Sequence, residues 1–414
     1  MDVDLSAPLL LDGALETNLF GDRAPESVCV ERWILEHPEP FLKLVTEFKQ
    51  MGSKVIHTPT AGASRPRLAC FGLEREVKEY NRKLVELTRR AAGDLLISGR
   101  LSSTGLTLEP FGETSFTEMI EIFREQAAAL VEAGVDFLMV EEVASISEAR
   151  AAAIALKKFH KPVMITMDVD EDGDTVHGGS AVNALVILQE LGIAAFGLNC
   201  CKGANKMSET IAQMRPYAKT PLIAKPSAYS FEEDTGELTE LTPIEMAVEM
   251  KELLSAGARI VGGCCKTTPK HIEAIAVAIG EFLEEQEEPS PEEPEETTGD
   301  IILADTRQIY KLYCDQIEFS EPLSCTVDMT DELLQLEEES IDVILVEIDT
   351  VDDARDFALN AHMAKLPVCF LSHDEIALRL ALLLYNGIAM VDSSSSIEPE
   401  RLEKIAGKYG AVIY

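Results

Sequence analysis

Eight short β-prone runs alternate with helical stretches over roughly the first 280 residues, and few folds accept that pattern. The runs are 9–14 (LLLDGA), 54–60 (KVIHTPT), 95–102 (LLISGRLS), 136–143 (DFLMVEEV), 162–169, 195–200, 221–228 and 259–264. Strands that alternate with helices pair in parallel through right-handed crossovers. These runs are apolar on both faces, as strands covered on both sides must be. The pattern therefore predicts an α/β chain beginning with a (β/α)8 TIM barrel, whose C-terminal strand ends converge on one mouth where barrel enzymes keep their sites.

Three cysteines stand where such strands end. Cys200 closes the sixth run in GLNC (197–200), and Cys264 and Cys265 close the eighth in GGCC (262–265). Zinc binds cysteine sulfur in a roughly tetrahedral shell, and three protein ligands leave a fourth position open for water or substrate, so a catalytic zinc site is the first reading. Adjacent cysteines cannot both face inward on an extended strand. The chain must turn at the pair, with Gly262 and Gly263 expected to supply unusual backbone angles and close approach. Thr268-Pro269 reads as an N-cap followed by proline at the first helical position, opening a helix over 269–285. Its N-terminal dipole favours a thiolate nearby. A non-enzymatic reading, a structural zinc or a redox-sensing vicinal disulfide between Cys264 and Cys265, stays open at this point.

Other polar residues are placed at the same rim: Asp12 after the first strand, Glu141 and Glu142 at the fourth and Asp168 at the fifth. Cys201 is expected to be a spare buried thiol. Cys29, Cys70, Cys314, Cys325 and Cys369 stand singly and read as small buried apolar residues. His177 falls in the loop after the fifth strand, at the rim, and His271 in the first turn of the helix after the cysteine pair, where surface or capping duty is expected.

Residues 281–300 (EFLEEQEEPSPEEPEETTGD) hold ten acidic residues and three prolines and leave nothing to bury. The stretch reads as a helix tail passing into an extended, self-repelling tether. The organisation is therefore a barrel over 1–284, a linker over 285–299 and a smaller α/β domain over 300–414, with strands expected near 301–305, 342–348, 367–371, 388–392 and 411–414. The net charge of −37 argues against nucleic acid or an anionic membrane as partner. Met1-Asp2-Val3-Asp4 lacks the basic start of a signal peptide, and no apolar run approaches the ~20 residues of a membrane span. A cytoplasmic protein with reduced cysteines is expected.

Taken together, DGALETN (12–18), GVDFLMVEE (134–142), GLNC (197–200) and GGCCKTTPKHI (262–272) resemble the homocysteine S-methyltransferase family. Members of that family are barrels whose three cysteines hold zinc. The resemblance implies that Cys200, Cys264 and Cys265 are zinc ligands, that homocysteine is the acceptor and methionine the product, and that Asp12 and Glu141 lie beside the substrate's ammonium group. The plainer alternative for either carboxylate is capping a loop or pairing with a lysine. The donor implied is methylcobalamin on a separate corrinoid protein, since the chain carries no DxHxxG, or a methylated small molecule such as S-methylmethionine or a betaine.

Several positions depart from the family's usual pattern: Thr58-Pro59-Thr60-Ala61-Gly62 after the second strand, Arg100 where an acidic residue is common, Ser103-Thr104-Gly105 after the third strand, Pro226-Ser227-Ala228-Tyr229 after the seventh, and Lys266 in place of a glycine. They leave open a corrinoid-linked methyltransferase acting on a different thiol or methylated substrate. The end of the chain, 381–413, resembles part of the pterin-binding barrel of cobalamin-dependent methionine synthases. A fragment too short to close that barrel is not expected to bind folate.

Overall fold

The protein is described by a computed structural model covering residues 7–201, 203–232, 234–285, 300–314 and 316–414. These fall into two compact units, with the main division in the chain between 285 and 300. The linker expected over 285–299 lies, apart from Glu285, outside the described residues.

The first unit carries eight parallel strands: β1 (Leu9–Leu10), β2 (Val55–His57), β3 (Leu96–Ser102), β4 (Phe137–Val143), β5 (Val163–Met167), β6 (Ala195–Cys200), β7 (Leu222–Pro226) and β8 (Ala258–Val261). Their order is β1-β8-β7-β6-β5-β4-β3-β2, each paired in parallel with its neighbours. The seam between β1 and β2 is crossed by a backbone hydrogen bond from Lys54 N to Leu10 O at 2.8 Å and by Ser53 Oγ to Leu11 O at 3.2 Å. This is the nearly closed TIM barrel that the alternation predicts.

The period-2 alternation of strand side chains sorts the interior into layers. Leu9, Val55, Phe137, Met139, Met164, Ala195, Ile223 and Ile260 form one buried apolar cluster, with Leu96 packed against it. Two or four residues further along the same strand faces stand His57, Arg100, Glu141, Asp168, Asn199 and Lys225. The barrel is thus plugged by hydrocarbon toward one end and lined by charge at the C-terminal end of its strands. Gly197, between Ala195 and Asn199, must be glycine for space, because a Cβ there would lie 1.9 Å from Ile223 O.

After β7 the chain forms an antiparallel hairpin, Tyr229–Glu232 against Glu237–Glu240. Asn205 braces it, donating from Nδ2 to Phe231 O and accepting from Phe231 N, both at 3.0 Å. The sequence reading did not include this hairpin. The helix expected over 269–285 is present as Pro269–Glu285.

The second unit holds an antiparallel pair, Asp300–Ala304 with Ile309–Tyr313, and a five-stranded parallel sheet. The sheet runs Leu323–Ser324, Ile344–Glu347, Val368–Leu371, Met390–Val391, Val412–Ile413 in consecutive order. Helices Thr330–Leu336, Val351–Asn360, Glu375–Leu384 and Pro399–Tyr409 separate the strands. Consecutive order without reversal is the order of an arc of a barrel, whereas a doubly wound sheet reverses at a switch point. No helix among the described residues is long and apolar enough to cross a membrane.

Candidate active site

Cys200 is the last residue of β6, and its register partner is Pro226 of β7. Past β8 the chain is held between its neighbours by backbone hydrogen bonds: Gly262 N to Ala224 O at 3.1 Å, Gly263 N to Asp12 O at 3.0 Å and Cys264 N to Pro226 O at 2.9 Å. Gly262 and Gly263 serve by close approach. A Cβ on Gly262 would lie 2.8 Å from Leu11 Cβ, and one on Gly263 2.3 Å from Thr267 Oγ1. The unusual backbone angles expected of them fall elsewhere, because neither has a positive φ and the turn after the pair places its left-handed residue at Lys266, φ 63°. That is the position where the family's glycine is replaced. Of the five non-glycine residues with positive φ among the described residues, four are Glu142, Cys200, Cys201 and Lys266. Left-handed backbone costs a non-glycine residue about 1–2 kcal/mol, and such strain clusters at functional sites.

The turn brings three sulfurs together. The Sγ atoms of Cys200, Cys264 and Cys265 all lie within 4.8 Å of one another, and Cys200 and Cys265 are 3.7 Å apart. A tetrahedral ion with Zn–S bonds near 2.3 Å spaces its sulfurs about 3.8 Å apart, so the donor set fits a thiophilic dication. Its protonation points the same way. Hydrogen bonds from Cys200 and Cys264 hold the Cys265 thiol down at about 3. The same hydrogen-bonding, with burial added, pushes Cys200 well above the ordinary thiol value. Cys264 is drawn down by Cys200 but raised further by Cys265 and by burial, to about 11. One thiolate forms unaided, and a second or third needs a cation.

The low Cys265 value gives a testable pH dependence. In metal-stripped protein its alkylation by iodoacetamide should be nearly constant between about pH 5 and pH 7, because the thiol is already ionised. Ordinary thiols, with pKa near 8.5, gain about tenfold per pH unit. A low-pKa thiolate is a weaker nucleophile, so the discriminating reading is this flat profile at Cys265 beside the exposed Cys70 and Cys314, followed by peptide mass spectrometry. Three parallel profiles would contradict it.

The remaining cysteines stay out of the cluster. Cys201 Sγ donates to Asn199 O at 3.6 Å, and burial raises its pKa. Cys29 and Cys369 are buried as expected, whereas Cys70 and Cys314 are exposed and Cys325 is half-buried, which corrects the reading of all five as buried. Asp168 accepts from Cys201 N at 3.2 Å. His177 is exposed. His271 is buried rather than on the surface, and it takes the capping duty expected: Nδ1 accepts from Thr268 N at 3.2 Å and lies 2.8 Å from Thr268 Oγ1, while Nε2 is 3.0 Å from Leu241 O.

Asp12 and Glu141 belong to one buried ionic layer. Asp12 accepts from His57 through both oxygens, from Nδ1 at 2.5 Å and the backbone N at 2.9 Å. Burial alone would raise its pKa, but His57 and Lys225 bring it below the usual value. Glu141 takes the Lys225 ammonium on Oε1, faces Arg100 Nε at 2.5 Å with Oε2, and lies 3.4 Å from His57 Nε2. Against the cost of burial, Lys225 and Arg100 hold its carboxyl well below the ordinary range. Arg100 also reaches Glu142 Oε1 at 3.2 Å. Burial, countered in part by Arg100 and reinforced by Cys264, raises Glu142 to about 7.

Sequence reasoning missed His57 and Lys225. Each sits in an apolar run, where a lone charge reads as a strand end. Counting by twos from Val55 and from Ile223 puts both on the inward face.

A parallel eight-stranded barrel with clustered thiols at the C-terminal ends of its strands defines a class of thiol-handling barrel proteins, and comparison narrows it. The family model "Homocysteine S-methyltransferase" matches residues 9–279, and the chain belongs to that family of enzymes. It is 25% identical over 299 residues to the methionine synthase of Mycobacterium tuberculosis, covering 67% of this chain and 25% of that protein. The Mycobacterium leprae methionine synthase is also 25% identical, over 289 residues, covering 65% and 24%. The chain thus spans about a quarter of the length of these curated relatives. Among solved structures it is similar to the homocysteine methyltransferase MmuM from Escherichia coli. The metallated form matches with TM-score 0.56 and 24% identity over 66% of this chain and 96% of that one. The oxidized form matches with TM-score 0.56 and 25% identity over 65% and 95%.

Proposed function

We propose that this chain is a zinc-dependent S-methyltransferase that passes a methyl group to the thiol of homocysteine, giving methionine. The observation that carries the reading is the gathering of three sulfurs within 4.8 Å at the mouth of a barrel of this family. Cys200, Cys264 and Cys265 would hold the zinc. The chemistry it supplies when bound is to favour the thiolate form of an acceptor thiol, the form that attacks a methyl group.

The chain's own residues do the rest. The backbone bonds of 262–264 to β1 and β7 fix two of the sulfurs, and the end of β6 fixes the third. Arg100 and Lys225 place positive charge on the side of Cys264, where Lys225 offsets a small part of the rise that Cys265 and burial impose on its thiol. The apolar plug closes the barrel below. Asp12 and Glu141 are the carboxylates of the acceptor side. The donor in this reading is methylcobalamin on a separate corrinoid protein or a methylated small molecule.

The test is methionine formation by zinc-loaded protein given homocysteine with methylcobalamin, S-methylmethionine or a betaine in turn. Methionine from one of them names the donor. None from any of them removes homocysteine methylation. A second reading keeps the metal and changes the acceptor to a different thiol, and the occupation of both rim carboxylates by the protein's own cations favours it.

A further inference from the structure

Two neighbouring carboxylates of β4 both reach the barrel mouth, and a regular strand cannot deliver them. Side chains alternate along an extended chain, so with Phe137, Met139 and Glu141 facing inward, Glu142 belongs on the helix side of the wall. The register explains its return. Val140 pairs with Ile165 and Val143 with Met167, so three steps along β4 match two along β5. That is a bulge, a device that re-aims a side chain beside an active site. Within it Glu142 takes φ 58°, a left-handed angle unfavourable to any residue but glycine, and its backbone N donates to Asn199 Oδ1 at 3.1 Å. The side chain so turned is 38% exposed, against 9% for Asp12 and 2% for Glu141. Its Oε1 lies 3.2 Å from Arg100 Nη2 and 3.9 Å from Cys264 Sγ. Among the described residues no hydrogen bond or ion pair reaches Oε2. Arg100 thus fixes one oxygen beside the sulfurs and leaves the other to accept.

We infer that Glu142 is a specificity residue for the acceptor, its Oε2 receiving the ammonium group of an aminothiol whose sulfur lies at the cysteine cluster. It adds a third carboxylate to Asp12 and Glu141. The inference rests on the proposed methylation of homocysteine and deepens it. An ammonium has three donors to distribute, and hydrogen bonds between charged groups are the strong ones. In homocysteine only two methylenes and the α-carbon separate sulfur from nitrogen, a short reach that suits a carboxylate 3.9 Å from one of the cluster's sulfurs.

Isothermal titration calorimetry of the zinc-loaded full chain tests it with homocysteine and 4-mercaptobutanoate, which differ only in the amine. The titrations are run at pH 8, above the value of about 7 to which Glu142 is raised. The wild type is expected to bind homocysteine the more tightly. Glu142→Gln, which keeps the shape and removes the charge, should weaken homocysteine about tenfold, a difference of about 1.4 kcal/mol, without weakening 4-mercaptobutanoate. A merely structural role, or a loss of metal seen in the zinc content of the same preparation, would weaken both thiols alike. Equal weakening of the two, or undiminished binding of homocysteine by the variant, overturns the inference and leaves the methyltransferase reading standing. So does tighter binding of 4-mercaptobutanoate by the wild type, a comparison that needs no variant. Failure of both thiols to bind zinc-loaded wild type overturns the inference together with the reading beneath it.

Discussion

Cys265→Ala should purify with little or no zinc and without methyl transfer to any thiol, while keeping the wild-type far-UV circular dichroism. The side chain removed is half-exposed and contributes little packing, so the barrel core should be indifferent to its loss. The effect on metal is expected to be large, because Cys265 is the thiol that ionises most readily of the three, at about 3, and it stands 3.7 Å from Cys200. Loss of outer-shell partners alone weakens metal sites about 10–100-fold, and loss of one of three protein ligands should exceed that. Zinc content by atomic emission, read beside methyl transfer on the same preparation, decides the matter. A variant that retains about one zinc per chain and its activity would remove Cys265 from the centre.

Glu141→Gln should destabilise the first unit by about 3–5 kcal/mol, the range for breaking a buried pair and leaving an uncompensated charge. Lys225 and Arg100 converge on this carboxylate, and the amide neutralises neither. For a domain of this size about 2–4 °C of melting temperature follows each kcal/mol, so a fall of roughly 6–20 °C is expected. Adding Lys225→Met should recover much of it by removing the orphaned charge. The pH dependence follows in sign. Against the cost of burial, Lys225 and Arg100 hold the folded-state pKa of Glu141 well below the ordinary carboxylate value, so its stabilisation is present above the unfolded value and lost as pH falls through the folded one. The difference between wild type and Glu141→Gln should therefore be full at neutral pH and narrow only in acid. Equal melting temperatures at pH 7 would show that the layer is relaxed by water or by movement of Lys225.

Much of the barrel was legible because its strands are short apolar runs between helices, and the run from Ala195 to Cys200 coincides with the strand observed. The thiol cluster was legible because adjacent cysteines force a turn and strand ends in a barrel share one mouth. The ionic layer was not. The resemblance puts Asp12 and Glu141 beside a substrate ammonium, with pairing to a lysine as the plainer alternative, and for Glu141 that alternative holds; the partners themselves, His57 for Asp12 and Lys225 for Glu141, lie 45 and 84 residues away, and pairing over such separations leaves no local trace. Arg100 stands out as a departure from the family, but its register partner on β4 is Met139, and only the side-chain ion pair reaching two residues along that strand shows that it answers Glu141. The hairpin after β7 escaped because Glu237–Glu240 is exposed throughout and carries no apolar alternation for burial to impose.

The seam between β1 and β2 has a mechanical meaning as well. These strands sit at the two ends of the sheet order, and the bonds from His57 to Asp12 cross the same gap as the bond from Lys54 to Leu10. The Asp12 carboxylate works as a clasp, fastening the first stave of the barrel to the second from inside its rim. A ligand that pulled Asp12 away from His57 would loosen the wall that contains it, so closure of the barrel limits how far this carboxylate can move toward anything bound at the mouth.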